Sequence, residues 1–314
     1  MTTRRKPAKK ATKKAKSTRK AAKTTKKAAK STKKAAKAPA RRSPRAALSV
    51  VTSSKQTTKQ RVAALGDVAM GVCENDEGFQ SLLNILRDQK EPIKVRLATL
   101  QTLQGASFSV ITFESCRGDY FATLRELVED PDPEFRQRVL GILAREKDAY
   151  VQQRLLEGLQ NPDRALVPPE KALQLLSYDV HAEAYSVARD IVNNPPNTEA
   201  KREALRLLSA DASSGPVFEK LMIDKDEKRE IRQISAAALQ ATHPRRFQQR
   251  ARELLLDDKE YDDIQATALT GMTQFGDEST GNDEELVRRV GRLEKGKSAK
   301  VKKTAKRFLR RYRP

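Results

Sequence analysis

The sequence lacks most of the residues on which enzymes and metal sites depend. It has no tryptophan, two histidines and two cysteines, and aromatic residues make up 5% of its 314 residues. Cys73 and Cys116 belong to no CxxC motif and have no histidine nearby, so we predict neither a disulfide framework nor a zinc site, and a reducing compartment. His181 and His243 lie far apart, and no GxSxG, HExxH or phosphate-binding glycine loop occurs. We therefore expect no metal, no cofactor and no enzymatic activity.

Long apolar runs are also missing. The first leucine is Leu48, so no signal-peptide core precedes it, and no later run approaches the length needed to span a membrane. We expect an intracellular protein with no membrane partner. The sequence does not distinguish a bacterial cytoplasm or nucleoid from a nucleus.

Acidic residues are absent from one end of the chain. Residues 1–66 hold 23 lysines and arginines and no acid, and residues 286–314 hold 13 basic residues and one acid, Glu294. Residues 67–285 between them carry a net charge of −13, although the whole chain carries +22. Such asymmetry predicts a polyanionic partner for the basic ends.

Residues 1–56 are basic and repetitive, as in "TRKAAKTTKKAAKSTKKAAK" (18–37). They cannot bury enough apolar surface to offset the entropy of ordering, so we predict a disordered tail. The 20 positive charges of residues 1–46 predict nucleic-acid binding without sequence preference. Its affinity should fall about a thousandfold or more between dilute and physiological salt. The candidate contacts in this tail are Lys9, Lys10, Lys13, Lys14, Lys20, Lys23, Lys26, Lys27, Lys30, Lys33, Lys34, Lys37, Arg41, Arg42 and Arg45.

The words "KPAKKATKKAK" and "KAPARRSPR" in this tail resemble the tails of linker histones and of some bacterial nucleoid proteins. The resemblance implies DNA rather than RNA as the partner. The stretch from Arg42 to Arg45 is similar to the Ser-Pro basic motif of such tails, which implies minor-groove contacts and control by phosphorylation at Ser43. A tail that only solubilises the protein or binds RNA unspecifically, with no dedicated role, remains an alternative.

The rest of the chain repeats itself with a period near 33 residues. The words "DQKEPIKVRLATLQTL", "DPDPEFRQRVLGIL", "DKDEKREIRQISAAAL" and "DDKEYDDIQATALTGM" share an Asp, a polar turn, an aliphatic or aromatic residue followed by Arg or Gln, and a helical apolar pattern. An amphipathic helix precedes each word. Such units predict helical hairpins that must stack to cover their apolar faces. Their anchor residues are Val95, Phe135, Ile231, Ile264 and Val301.

These words resemble HEAT repeats of the armadillo-like class. The resemblance implies an all-α, right-handed α-solenoid of about six to seven hairpins over residues 57–314, preceded by the disordered tail of residues 1–56. In that family the turn Asp and the following Arg bond neighbouring repeats, which implies a ladder role for Asp130, Arg136, Asp224 and Arg232. The β-branched segment 105–118 interrupts the pattern and fits either an extended helix or a loop.

A basic capping helix is predicted at about residues 297–314. Its apolar stripe includes Val301, Ala305 and Phe308, as a solenoid cap requires, but a cap does not explain why its charges are all positive. We therefore predict a second phosphate-contacting patch there. Its candidate residues are Lys302, Lys303, Lys306 and Arg310.

Together these features favour a non-enzymatic scaffold that is tethered to DNA by its tail and holds an unidentified protein partner on its solenoid. A HEAT-like alkylpurine DNA glycosylase is one alternative, although the absence of tryptophan and the acidic body argue against it. A protein-only adaptor with an autoinhibitory basic tail is the other.

Overall fold

The computed structural model describes residues 42–179 and 182–313, and within these ranges all regular structure is helical. The predictions made for Lys9 through Arg41 lie outside the described residues. No described helix has the length and hydropathy required to cross a lipid bilayer.

Helices occur in pairs along the described chain, and each pair forms a hairpin. The first helices of the hairpins are α1 (Pro44–Thr52), α3 (Asp76–Arg87), α5 (Val110–Glu126), α7 (Ala149–Gln160), α9 (Ala182–Asn193), α11 (Gly215–Ile223), α13 (Pro244–Leu256) and α16 (Glu284–Glu294). The second helices are, in the same order, α2 (Thr58–Val68), α4 (Ile93–Ser107), α6 (Pro133–Arg145), α8 (Pro169–Leu176), α10 (Thr198–Leu208), α12 (Arg229–Thr242), α14 (Asp262–Phe275) and α17 (Ala299–Tyr312). A short helix, α15 (Glu278–Asn282), precedes the last hairpin.

The helix starts follow from local chemistry. Proline stands in the first turn of several helices, where its missing N–H costs nothing, as at Pro133 and Pro244. Side chains that accept a backbone N–H cap the starts of several helices, among them Asp132, Asp148 and Asn197. These caps place each turn and so fix the register of the hairpins.

The hairpins stack in two layers, with first helices against first helices and second helices against second helices. The apolar residues between the layers form one continuous core. The five anchor residues are all buried, and each is the third residue of its second helix. The prediction of an all-α solenoid of helical hairpins is therefore confirmed.

Its boundary and its count of hairpins differ from the prediction. The compact unit begins at Arg42, and the described residues contain eight hairpins rather than six or seven. The additional hairpin is α1–α2, and α1 lies inside the stretch that was predicted as tail. Ala47 and Val51 of α1 are buried, so this helix has an apolar face that the basic composition around it concealed.

Segment 105–118 is neither one extended helix nor one loop. Helix α4 ends at Ser107, and α5 begins at Val110 after a two-residue break. Phe108, Val110 and Ile111 are exposed at this break. Phe113 and Cys116 on the following turns are buried against the core.

The two cysteines form a disulfide, contrary to the prediction. Cys73 lies in the link between α2 and α3, and Cys116 lies on α5, with Cα atoms 6.0 Å apart. The residues are 43 positions apart, so the pairing depends on how the hairpins stack and not on any local motif. It joins the first hairpins of the described chain covalently.

Candidate nucleic-acid interface

A ladder of arginines crosses the second-helix layer. Each occupies the fourth position of its helix, and its Nε donates to the carbonyl ten residues earlier, at the end of the first helix of the same hairpin. The rest of the guanidinium group pairs with a carboxylate in the turn of the next hairpin. The pairs are Arg61 with Glu91, Arg96 with Asp130, and Arg232 with Glu260.

The Arg232 pair shows how complete this neutralisation is. Its Nη1 and Nη2 lie 2.9 and 2.7 Å from the two carboxylate oxygens of Glu260, and both side chains are fully buried. Nε lies 3.0 Å from the Met222 carbonyl oxygen. Because a buried charge is tolerated only when it is paired and hydrogen-bonded, this residue is structural.

Two other hairpins have a different cation, or a different bonding partner, at the fourth position of the second helix. Lys201 occupies the fourth position of α10 and pairs with Glu227 in the next turn. Arg136 occupies it in α6 and donates to the carbonyls of Asp130 and Leu166. The predicted bridging role is thus confirmed for Asp130, Arg136 and Arg232. It is wrong for Asp224, whose carboxylate accepts from the Asp226 N–H within its own turn.

The first-helix layer is also bridged by ion pairs between hairpins. They are Arg87 with Glu126, Arg125 with Asp148, Arg189 with Asp211, Arg250 with Glu219, and Arg252 with Asp283. The hydrogen bond from Arg252 holds the pKa of Asp283 below its usual range, despite partial burial. Cations of the interior hairpins therefore serve mainly to join neighbours.

The last described hairpin departs from this rule. Lys302 is the fourth residue of α17, the register position of the ladder, yet it is exposed. Helix α17 buries Val301, Ala305 and Phe308 on one side. About half of its circumference is a basic face, at the usual 100° per residue. This face consists of Lys300, Lys302, Lys303, Lys306, Arg307, Arg310, Arg311 and Arg313, and none of them pairs with a described carboxylate.

The same hairpin carries four further exposed cations on α16 and in the turn after it: Arg288, Arg292, Lys295 and Lys297. They too pair with no carboxylate in the described part of the chain. The sequence prediction missed them, although they belong to the same basic run. Arg289 is the exception, because it is buried, donates to the carbonyls of Leu255 and Asp257, and pairs with Asp258.

Of the predicted contact residues, the structure brings four together on one face: Lys302, Lys303, Lys306 and Arg310. Arg42, two residues before α1, and Arg45, the second residue of α1, are exposed at the other end of the described chain. Ser43, the predicted regulatory residue, is the N-cap of α1, and its Oγ accepts from the Ala46 N–H at 3.4 Å. The tail lysines and Arg41 lie outside the described residues.

No group of three or more histidine, cysteine or acidic side chains within residues 42–179 and 182–313 is arranged to hold a metal ion. His243, the histidine that is described, contacts Thr242 through Nδ1 at 3.0 Å. The buried carboxylates Asp130, Asp148 and Glu260 each pair with an arginine.

No protein-family model matches the chain, and no curated protein matches it. Among solved structures it is similar to the complex of CpcE and CpcF of phycocyanin lyase from Nostoc sp. PCC7120, with 17% identity and a TM-score of 0.37 over 82% of this chain and 95% of that one. It is also similar to human deoxyhypusine hydroxylase in complex with glycerol, with 12% identity and a TM-score of 0.34 over 75% of this chain and 96% of that one.

Proposed function

We propose that this chain is a non-enzymatic scaffold that is tethered to nucleic acid by its basic ends and holds a protein partner on the remainder of the solenoid. One observation carries the proposal: twelve exposed cations of the last hairpin have no carboxylate partner within the described residues. Interior hairpins neutralise most of their bridging cations across the next turn, so the positive face of α17 is not required for stacking.

The geometry of this face suits a phosphate backbone. From Ala299 to Tyr312 the helix is about 20 Å long at 1.5 Å per residue. Duplex DNA carries one negative charge per about 1.7 Å of its axis, so several phosphates lie within reach of a helix of that length. Arginine and lysine side chains donate to phosphate oxygens without reading bases. The proposed binding is therefore independent of sequence.

DNA is preferred over RNA because the tail resembles histone-like tails. The glycosylase alternative needs a buried carboxylate available to a flipped base, and each buried carboxylate described above is committed to an arginine. The autoinhibited alternative predicts that removal of tail charge increases binding to partners.

The experiment compares three full-length proteins for binding to a short random-sequence DNA duplex over a range of salt concentrations. One is the wild type, and the second carries Lys302→Gln, Lys303→Gln, Lys306→Gln and Arg310→Gln. A control removes the same number and kinds of charge at exposed, unpaired cations elsewhere, through Lys90→Gln, Lys94→Gln, Lys220→Gln and Arg164→Gln.

Loss of four phosphate contacts should reduce the slope of log affinity against log salt by about three to four. The control should retain nearly the wild-type slope. Equal slopes for the site variant and the wild type would reject α17 as a contact surface, as would an equal loss in the control. Tighter binding to an RNA duplex of the same sequence would reject DNA as the preferred partner.

A further inference from the structure

The arginine ladder is interrupted at the hairpin α7–α8. Helix α8 has eight residues and is the shortest of the second helices. Its fourth residue is Ala172, which cannot reach the next turn, and Arg136 of the preceding hairpin bonds to the Leu166 carbonyl. A groove of about 230 Å³ opens beside this interruption, between α4, α6 and α8.

The groove combines an apolar floor with polar walls. Leu97, Leu100 and Leu175 form the floor. Gln101 and Gln137 present their side-chain amides from the neighbouring helices α4 and α6, and both residues are exposed. An apolar pocket with a few placed polar groups is the usual form of a binding site.

The charge of the groove is uniformly positive. Arg138, Arg145 and Lys171 line it, and no carboxylate does. Arg138 is neutralised by Glu134, with Nη2 2.8 Å from Oε1. Lys171 donates from Nζ to the Gln174 side chain at 2.8 Å, so its charge is not neutralised. Arg145 is exposed and pairs with no described carboxylate.

The Arg145 side chain is held in position across the groove. Its Nη1 would lie 3.7 Å from a Cβ atom at Gly141, so it folds back over that glycine. Its guanidinium carbon lies 5.9 Å from the centre of the Tyr178 ring, within the range of a cation–π contact. A guanidinium group placed in this way and lacking an anion is suited to bind a carboxylate through two hydrogen bonds.

The first-helix layer beside the same hairpin has the opposite charge. A groove between α7 and α9 is lined by Glu183 and Asp190 and by no cation. The two grooves that flank this part of the solenoid therefore differ in sign. An anionic ligand is directed to the α4–α6–α8 groove and away from the α7–α9 groove.

We propose that the α4–α6–α8 groove binds an acidic peptide segment of a partner protein, with a carboxylate on Arg145 and Lys171. This inference rests on the proposed scaffold function, because it specifies the chemistry of the protein partner. Gln101 and Gln137 pair with the peptide main chain, since amides both donate and accept hydrogen bonds. An apolar side chain beside the carboxylate fills the space above Leu97 and Leu175.

A peptide fits this groove better than a nucleic-acid phosphate does. Phosphate oxygens only accept hydrogen bonds, so the glutamine carbonyls would stay unpaired against them. The leucine side chains of the floor cannot donate hydrogen bonds to a phosphate. The volume of about 230 Å³ suits one or two side chains and not a nucleotide with its sugar.

The test is a microarray of random-sequence peptides probed with labelled full-length proteins at physiological salt. The pocket variant carries Arg145→Gln and Lys171→Gln, and the matched control carries Arg164→Gln and Lys90→Gln. All proteins keep the basic tail, so its unspecific attraction for acidic peptides cancels in the comparison. Peptides bound at least tenfold more weakly by the pocket variant than by the control should be enriched in aspartate and glutamate next to apolar residues.

A charge-reversal variant, Arg145→Glu with Lys171→Glu, should exchange this preference for lysine- and arginine-containing peptides. Absence of acidic enrichment, or an equal loss in the control, would overturn the inference.

The α17 variant described above should keep peptide binding while its salt slope for DNA falls, and the pocket variant should show the reverse. Failure of the scaffold's DNA tether and failure of the peptide site are thus distinguishable. Loss of DNA binding by the pocket variant would assign the groove to nucleic acid and reject the peptide.

Discussion

The interior hairpins and the last hairpin use the same register position in different ways. Arg232 at the fourth position of α12 is buried against Glu260 of the next turn, whereas Lys302 at the fourth position of α17 is exposed and has no described carboxylate partner. Within the described residues, the hairpin α13–α14 stacks beyond Arg232, and no further hairpin stacks beyond Lys302. The covered Arg232 is part of the structure, whereas the exposed Lys302 belongs to the proposed contact surface.

The strongest test of this comparison is to remove each of the two cations. Arg232→Met leaves Glu260 buried without a counter-charge, which should lower the free energy of unfolding by about 3–5 kcal/mol. Lys302→Met removes an exposed charge and should change it by no more than about 0.5 kcal/mol. Urea denaturation at neutral pH, followed by circular dichroism, measures both.

The double variant Arg232→Met with Glu260→Met is the control, because it removes both charges and leaves no buried ion. It should recover much of the loss, since apolar residues often replace buried ion pairs at little cost. A double variant as unstable as Arg232→Met alone would show that the bond to the Met222 carbonyl, and not the ion pair, carries the effect.

Packing gives a second comparison between an interior hairpin and the last one. A Cβ atom at Gly271 of α14 would fall on the Phe247 ring of α13, while one at Gly291 of α16 would meet nothing within 4 Å. Gly271→Ala should therefore destabilise by about 1–3 kcal/mol through overpacking. Gly291→Ala should stabilise by about 0.4–1 kcal/mol, because it restricts the unfolded chain.

Thermal unfolding of both glycine variants checks the pair. Phe247→Leu combined with Gly271→Ala makes room for the added methyl group, so it should be less destabilised than the sum of the two single changes. Strict additivity would contradict the steric explanation.

Some features of the fold could be predicted from the sequence, and others could not. The words with Asp, turn, aliphatic residue and Arg predicted the hairpins and their anchors, because each word is a local pattern with a direct physical meaning. Helix α1 was not predicted, because its short apolar face, with Ala47 and Val51, lies at the edge of a basic stretch whose average composition predicts disorder. The disulfide between Cys73 and Cys116 was not predicted, because its two cysteines lie 43 residues apart and meet only when the hairpins stack.

The candidate site, like the fold, could be predicted from the sequence only in part. Lys302, Lys303, Lys306 and Arg310 were predicted from an unbroken basic run. That they lack a described carboxylate partner could not be predicted, since pairing depends on acids about 30 residues away in a neighbouring turn, as between Arg61 and Glu91. The charge of the α4–α6–α8 groove depends on three hairpins at once and has no local signature.

A third comparison concerns the junction that attaches the last hairpin to the solenoid. Asp283 caps α16 by accepting from the Leu286 N–H at 3.0 Å, and it accepts from Nε of Arg252 at 2.5 Å. Asp283→Asn keeps a good capping residue and loses the ion pair, so it should lose at most about 1 kcal/mol. Asp283→Ala also loses the cap and should lose about 1 kcal/mol more.

At acidic pH the wild type and Asp283→Asn should have the same free energy of unfolding. The hydrogen bond from Arg252 depresses the pKa of Asp283 in the folded protein, so this stabilisation is present above the unfolded pKa of about 3.9 and is lost as the pH falls through the folded value. Denaturation measured between about pH 5 and pH 2 should show the two proteins converging. A difference that persists at the acid end would mean that the ionised carboxylate is not what joins the last hairpin to α13.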